Sequence, residues 1–179
     1  MGQGRKINYL QGVAQHYAWG GNSFIPSLIP STKSEGKPVA EYWLGAHPMA
    51  PSIVINDEHL ALDKLVSENP EQVLGKKVAE KFGQFPYLLK LLDVKEMLSI
   101  QVHPSKAAAE KEFARENAEG IPIDSVKRNY KDDNHKPELM VAMSDFWLLH
   151  GFKPQEKLVN ILQVVPEFKL LQIFFDRFS

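Results

Sequence analysis

Short extended segments divided by turns, with helices inserted between them, predict a mainly β protein built on a β-barrel or sandwich core with helical decoration. Three observations carry this expectation. The apolar runs that suit strands are brief and bounded by Gly or Pro. Strands and helices do not alternate regularly as βαβ units, which argues against a doubly wound sheet. No internal repeat or low-complexity tract is present, and 179 residues suffice for one good-sized domain or a domain with a small appendage.

The elements follow in chain order. Residues 11–30 are rich in Gly, Pro, Ser and aromatics and read as loop with short extended pieces. Residues 39–44 read as a strand, residues 45–51 as a turn containing two prolines and two-sided by strands, and residues 52–56 as a β-branched strand. Leu62, Leu65 and Val66 recur at helical spacing, with Asp63 near the start. Pro70 sits at a favourable first helical position, and Val73, Leu74 and Val78 carry the pattern to Gly83, which can close it. Residues 87–94 read as a buried strand and residues 98–102 as a second. Residues 105–117, rich in Ala, Glu and Lys, read as a helix started by Pro104 and Ser105. A polar connection covers residues 119–133, apolar stretches follow at 139–143 and 146–152, and residues 154–164 form an amphipathic helix.

Composition excludes several classes. The formal net charge is −1 with Lys and Arg scattered, so nothing points to nucleic acid. There are no cysteines, which removes disulfides, thiolate zinc sites and cysteine nucleophiles. A zinc site here needs His, carboxylate or neutral oxygen ligands. Residues 1–6 lead into no apolar h-region and no run is long enough to span a bilayer, so the expected setting is cytoplasmic, with no membrane partner.

Three constellations can carry chemistry. In Leu98–Pro104, a strand would put Ser99, Gln101 and His103 on one face and Leu98, Ile100 and Val102 on the other. Residues i and i+2 can then converge on a metal, although an ordinary half-exposed edge strand has the same pattern. In residues 132–138, Pro137 biases Lys136 to an extended conformation, so Lys136 and Glu138 share a face. They are a metal ligand beside a proton donor or charge stabiliser, or else a solvated loop. Lys90 is the only charge in residues 87–92. It either snorkels to water or faces an anion. Trp19, Glu41, His16, His47 and the Asp57–His59 loop are weaker candidates with ordinary structural readings.

Taken in series, Gln15–Gly20, Ala40–Pro48, Phe85–Lys90, Leu98–Pro104 and Asn134–Leu139 followed by Gly151-Phe152 make the chain resemble the type I phosphomannose isomerase family. The resemblance implies a cupin-type β-barrel core, incomplete in this chain, over residues 1–104 and 130–153. It implies a helical insertion at 105–129 and the start of a second helical segment at 154–179. It implies one zinc, held by Gln101, His103 and Glu138, and interconversion of mannose 6-phosphate and fructose 6-phosphate. Lys136 is the implied acid/base or substrate contact, Lys90 and Ser99 hold substrate, and Trp19 and Glu41 lie near it. A zinc-bound water, or His103 if it is not a ligand, remains open as the proton-transferring base.

Family members are longer, and a further zinc-binding histidine and an arginine come from a later segment. The expectation is therefore an N-terminal portion with impaired activity, whose apolar residues 168–178 open a helical part that a missing C-terminal half would cover. Two other readings stay beside it. One is a non-catalytic cupin-like module that binds a sugar phosphate. The other is a different metal-dependent cupin enzyme, against which Gln101 argues, since redox iron sites of this kind favour histidine and carboxylate.

Overall fold

The computed structural model describes residues 7–33, 36–56, 58–98, 100–168 and 170–171. Contact density divides the chain into two compact units, Met1–Leu98 and Ser99–Ser179.

The first unit holds all the described strands. β1 (Tyr9–Gln11) pairs antiparallel with β4 (Ile53–Ile55), and β2 (Val13–Gln15), β3 (Glu41–Gly45) and β5 (Leu88–Leu92) form a second antiparallel sheet in the order β2-β3-β5. β1 and β2 are consecutive, yet they join different sheets. Gly12 makes that corner: its N–H donates to the Tyr42 hydroxyl at 2.7 Å, and a Cβ there would collide with the Trp43 carbonyl and the Tyr42 ring.

The period-2 alternation of β3 divides the sheet into two faces. Tyr42 and Leu44 point into a core with Ile25, Val39, Ala14 and Leu91. Glu41 and Trp43 point to the opposite face. Trp43 lies opposite Lys90 of β5 in the register. A short helix α1 (Phe24–Leu28), which the Gly- and Pro-rich composition of this stretch concealed, buries Ile25 in the same core.

A second core gathers Val54, Leu62 and Val66, with Val73, Leu74 and Phe85 packed around it. Val54 comes from β4, and the helices α2 (Leu62–Glu68) and α3 (Pro70–Leu74) supply most of the rest; α4 (Lys76–Phe82) follows them. Asp63 lies in the first turn of α2 and Pro70 opens α3, as their positions in the sequence suggest. The helical pattern does not run unbroken to Gly83. Gly75 at φ 79° separates α3 from α4, and Gly83 at φ 65° ends α4, both in a region that other residues adopt only with strain.

The second unit contains α5 (Lys106–Ala118), the longer of its two α-helices described, and α6 (Gln155–Val164). Ser105 caps α5 by accepting the Ala108 N–H at 3.3 Å.

Three expectations need correction. Residues 100–102 are not a strand: they carry no regular structure, and Val102 is 77% exposed rather than set in a core wall. A strand persists only when another backbone takes its hydrogen bonds, and the described residues offer none here. Residues 87–94 are not a buried strand throughout either: β5 covers Leu88–Leu92 at the edge of its sheet, and Leu89 within it and Tyr87 before it are exposed. Helices span more of the described residues than strands do, and neither sheet closes on itself. The observed class is small antiparallel sheets with helices. Among the described residues no helix is long and apolar enough to cross a membrane. The apolar residues Phe168, Leu170 and Leu171 are exposed, and the rest of that terminal run lies outside the described residues, as does Ser99.

Candidate functional site

Each unit contributes its own group of polar residues. In the first unit they stand on the non-core face of the three-stranded sheet. Glu41 is buried at 8% exposure, not solvated, and its Oε2 accepts the Trp43 indole N–H at 2.5 Å. Lys90 Nζ lies 3.9 Å from the same oxygen and 5.3 Å from the Trp43 ring centroid. Lys90 thus faces a carboxylate and an aromatic ring at a half-buried site. His47 packs edge-on to Trp43 at 4.9 Å and its Nδ1 accepts the Met49 N–H, which holds the turn after β3. Trp19 stacks on Tyr17 at 5.5 Å. The Tyr17 hydroxyl is pushed above its ordinary value of 10.0, first by burial and then by the Glu41 charge.

In the second unit a cavity of about 520 Å³ is lined by residues 101–104 and 129–132, with Asn134 and Lys136. Its volume falls within the range common for small-molecule sites. Gln101 and His103 thus share one cavity although they do not lie on a strand. Lys136 lines it too, and its Nζ pairs with Asp132 at 3.3 Å. Glu138 is exposed and is not among the lining residues. Among the described residues, no three side chains of His, Asp or Glu gather by themselves into a metal site.

The structure therefore joins three of the residues singled out from sequence, Gln101, His103 and Lys136, in one unit. It joins Glu41 and Lys90 on one sheet face in the other. Sequence reasoning passed over the residues that brace these groups. Asp93, on the loop after β5, accepts the Phe24 and Ile25 N–H groups at 2.9 and 3.4 Å. Glu116 and Arg128 are buried together in the second unit. A charge in a helix or a polar connection reads as solvated, so no local signal marks them.

Small antiparallel sheets with helices in one unit, and in the other a polar cavity carrying an amide oxygen, an imidazole and an ammonium, define a protein of mixed α and β structure. Comparison with known proteins makes the class particular. The family described as phosphomannose isomerase type I, catalytic domain, matches residues 7–155, and the chain belongs to that family. Among its relatives is mannose-6-phosphate isomerase of Salmonella typhimurium, 42% identical over 153 residues that cover 84% of this chain and 39% of that protein. The Candida albicans protein of the same name is 38% identical over 173 residues, 90% of this chain and 37% of the relative. A crystal structure of the Salmonella typhimurium isomerase, bound to fructose 6-phosphate and zinc, superposes with a TM-score of 0.64 at 43% identity. That match covers 72% of this chain and 33% of the solved one. This chain spans about two fifths of the length of these curated relatives.

Proposed function

We propose that this chain carries the metal-binding part of a zinc-dependent aldose–ketose isomerase that interconverts mannose 6-phosphate and fructose 6-phosphate. The observation that carries the reading is the shared cavity of Gln101, His103 and Lys136 in a member of this family. Crystal structures of relatives at 41–43% identity contain zinc, one of them with substrate as well.

The donor set fits zinc. An amide oxygen and an imidazole nitrogen already line one cavity, and Glu138 follows Lys136 by two residues. Gln101, His103 and Glu138 would hold the ion. When bound, zinc supplies a Lewis acid that favours oxyanion charge at the substrate carbonyl.

The remaining work belongs to the chain. Isomerisation moves a proton between C1 and C2 through an enediol, which needs an acid/base group and cations for the developing charge. The Lys136 ammonium, held by Asp132, can give a proton to a substrate oxygen or stabilise it as an anion. Lys90 and Ser99 are assigned to the substrate, with Lys90 suited to the phosphate because its charge is half-buried. Glu41 orients Lys90, and Trp19 supplies an apolar surface near the sugar. A cupin-type barrel formed by residues 1–104 and 130–153, a helical insertion at 105–129 and a second helical segment from 154 complete the proposal, with a cytoplasmic setting. The exposed apolar residues Leu139, Val141, Met143, Trp147 and Phe152 suit cover by a C-terminal half such as the longer relatives have.

Zinc analysis of the purified chain is the test. Equimolar zinc, largely lost in Gln101→Ala and in His103→Ala, is the expected result. Absence of metal would favour a sugar-phosphate-binding module without catalysis.

A further inference from the structure

The second unit places a buried ion pair directly behind the cavity. Glu116 of α5 is 1% exposed and Arg128 is 5% exposed, with Arg128 Nε 3.4 Å from Glu116 Oε2. An ion pair removed from water survives only when its remaining donors and acceptors are satisfied. Here the partners come from the connection that follows α5 and from α5 itself. The Glu116 carboxylate accepts the N–H of Tyr130 at 2.9 Å and both nitrogens of Asn129, at 3.2 and 3.3 Å. The Arg128 guanidinium donates to the carbonyls of Tyr130 and Ile121, at 2.7 and 2.6 Å, and to Asn117 Oδ1 at 2.7 Å. Its plane also lies 4.9 Å from the Phe113 ring centroid.

The other end of α5 makes a second attachment. Lys106 Nζ donates to the Asp133 carbonyl at 2.9 Å and to Asn134 Oδ1 at 3.1 Å. Residues 129–134 are thus tied at both ends to a single helix. That helix begins immediately after residues 101–104, which carry Gln101 and His103 and form the opposite wall of the cavity. A rigid rod joined covalently to one wall and by hydrogen bonds to the other sets the distance between them. Residues 100–102 form no strand pairing that could do the same.

We infer that Glu116 and Arg128, with Lys106, are positioning residues that hold the wall carrying Asp132, Asn134 and Lys136 against Gln101 and His103. They touch neither metal nor sugar. Their effect on zinc rests on the reading given under Proposed function, whereas their effect on the wall does not.

The experiment uses the full 179-residue chain, with Arg128→Lys, which keeps the charge but loses the forked geometry, and Lys106→Met, whose side chain is 42% exposed, so that its replacement disturbs no buried packing. Amide hydrogen exchange is followed without metal, and zinc affinity is measured by competition with a chromophoric chelator. In Arg128→Lys, exchange at residues 129–134 should rise about tenfold or more while α5 and β3 keep their protection. Zinc affinity should fall about 10–100-fold, as expected for groups that orient ligands from behind. Lys106→Met should show the same changes to a smaller degree, centred on residues 132–136, and it decides the matter if Arg128→Lys does not fold. Unchanged exchange at 129–136 overturns the inference. So does a loosened wall with zinc affinity unaltered, which would make the pair a purely structural element. A parent chain that takes up no zinc defeats the metal reading instead, and the exchange result alone then decides whether these residues position the wall.

Discussion

Glu41 serves two neighbours with one oxygen, accepting the Trp43 indole and facing the Lys90 ammonium. Removing it would leave an indole N–H without its acceptor and a half-buried cation without its carboxylate. Glu41→Ala is expected to cost about 1–3 kcal/mol in urea unfolding, and an unchanged midpoint would count against the arrangement. Glu116 makes a different prediction, in pH. Its carboxyl is held below its ordinary value of 4.5, chiefly by the Tyr130 N–H, with Asn129 and the Arg128 charge assisting against burial. A carboxyl lowered in the folded state contributes stability that is fully present above its unfolded value, and that is lost as pH falls through the folded one. The gap in melting temperature between the parent chain and Glu116→Gln should therefore be constant above about pH 5 and narrow below 4.5. A gap that widens on acidification would contradict the geometry.

At the scale of elements, α1 shows how little of a short helix's stability is its own. Five residues are too few to persist alone. Its Ser23 side chain makes no capping bond, and the first N–H groups are taken instead by Asp93, from a loop 69 residues away. Asp93→Ala should destabilise the first unit by about 0.5–2 kcal/mol, the usual range for a lost helix cap. Asp93→Asn, which keeps an acceptor oxygen, should lose less. Equal losses in thermal melts of the two variants would show that packing of the side chain, not the acceptor, is what matters. α5 is the contrasting case. It caps itself through Ser105 and spans 13 residues, long enough to serve as a brace for the connection behind the cavity.

For the molecule as a whole, the cavity of the second unit is open and Gln101, His103 and Lys136 are all exposed. Open sites leave charges solvated and weaken the electrostatic work of catalysis. The isolated chain should accordingly show little or no turnover of mannose 6-phosphate in a coupled assay with added zinc. Turnover at the level of ordinary enzymes, roughly 1–1000 per second, would refute this.

Much of the local structure was legible from residue order alone. Ser105 as a cap, Pro70 as a helix start, Gly83 as a stop and the amphipathic pattern after Pro154 depend on backbone chemistry within a turn or two, and each is found where local rules put it. The motif Gln101-x-His103 also named two residues that share a cavity. Other features required the tertiary structure. Whether residues 98–102 form a strand depends on a pairing partner, which no local pattern specifies. The carboxylate that Lys90 faces belongs to Glu41, 49 positions earlier, brought alongside by sheet register. Burial of Glu116 with Arg128 likewise depends on a fold-back of the connection after α5. Composition and short-range chemistry determine which elements can form and which side chains can react. Long-range pairing decides which charges are buried together, because the stability of a buried charge rests on partners that sequence proximity does not supply.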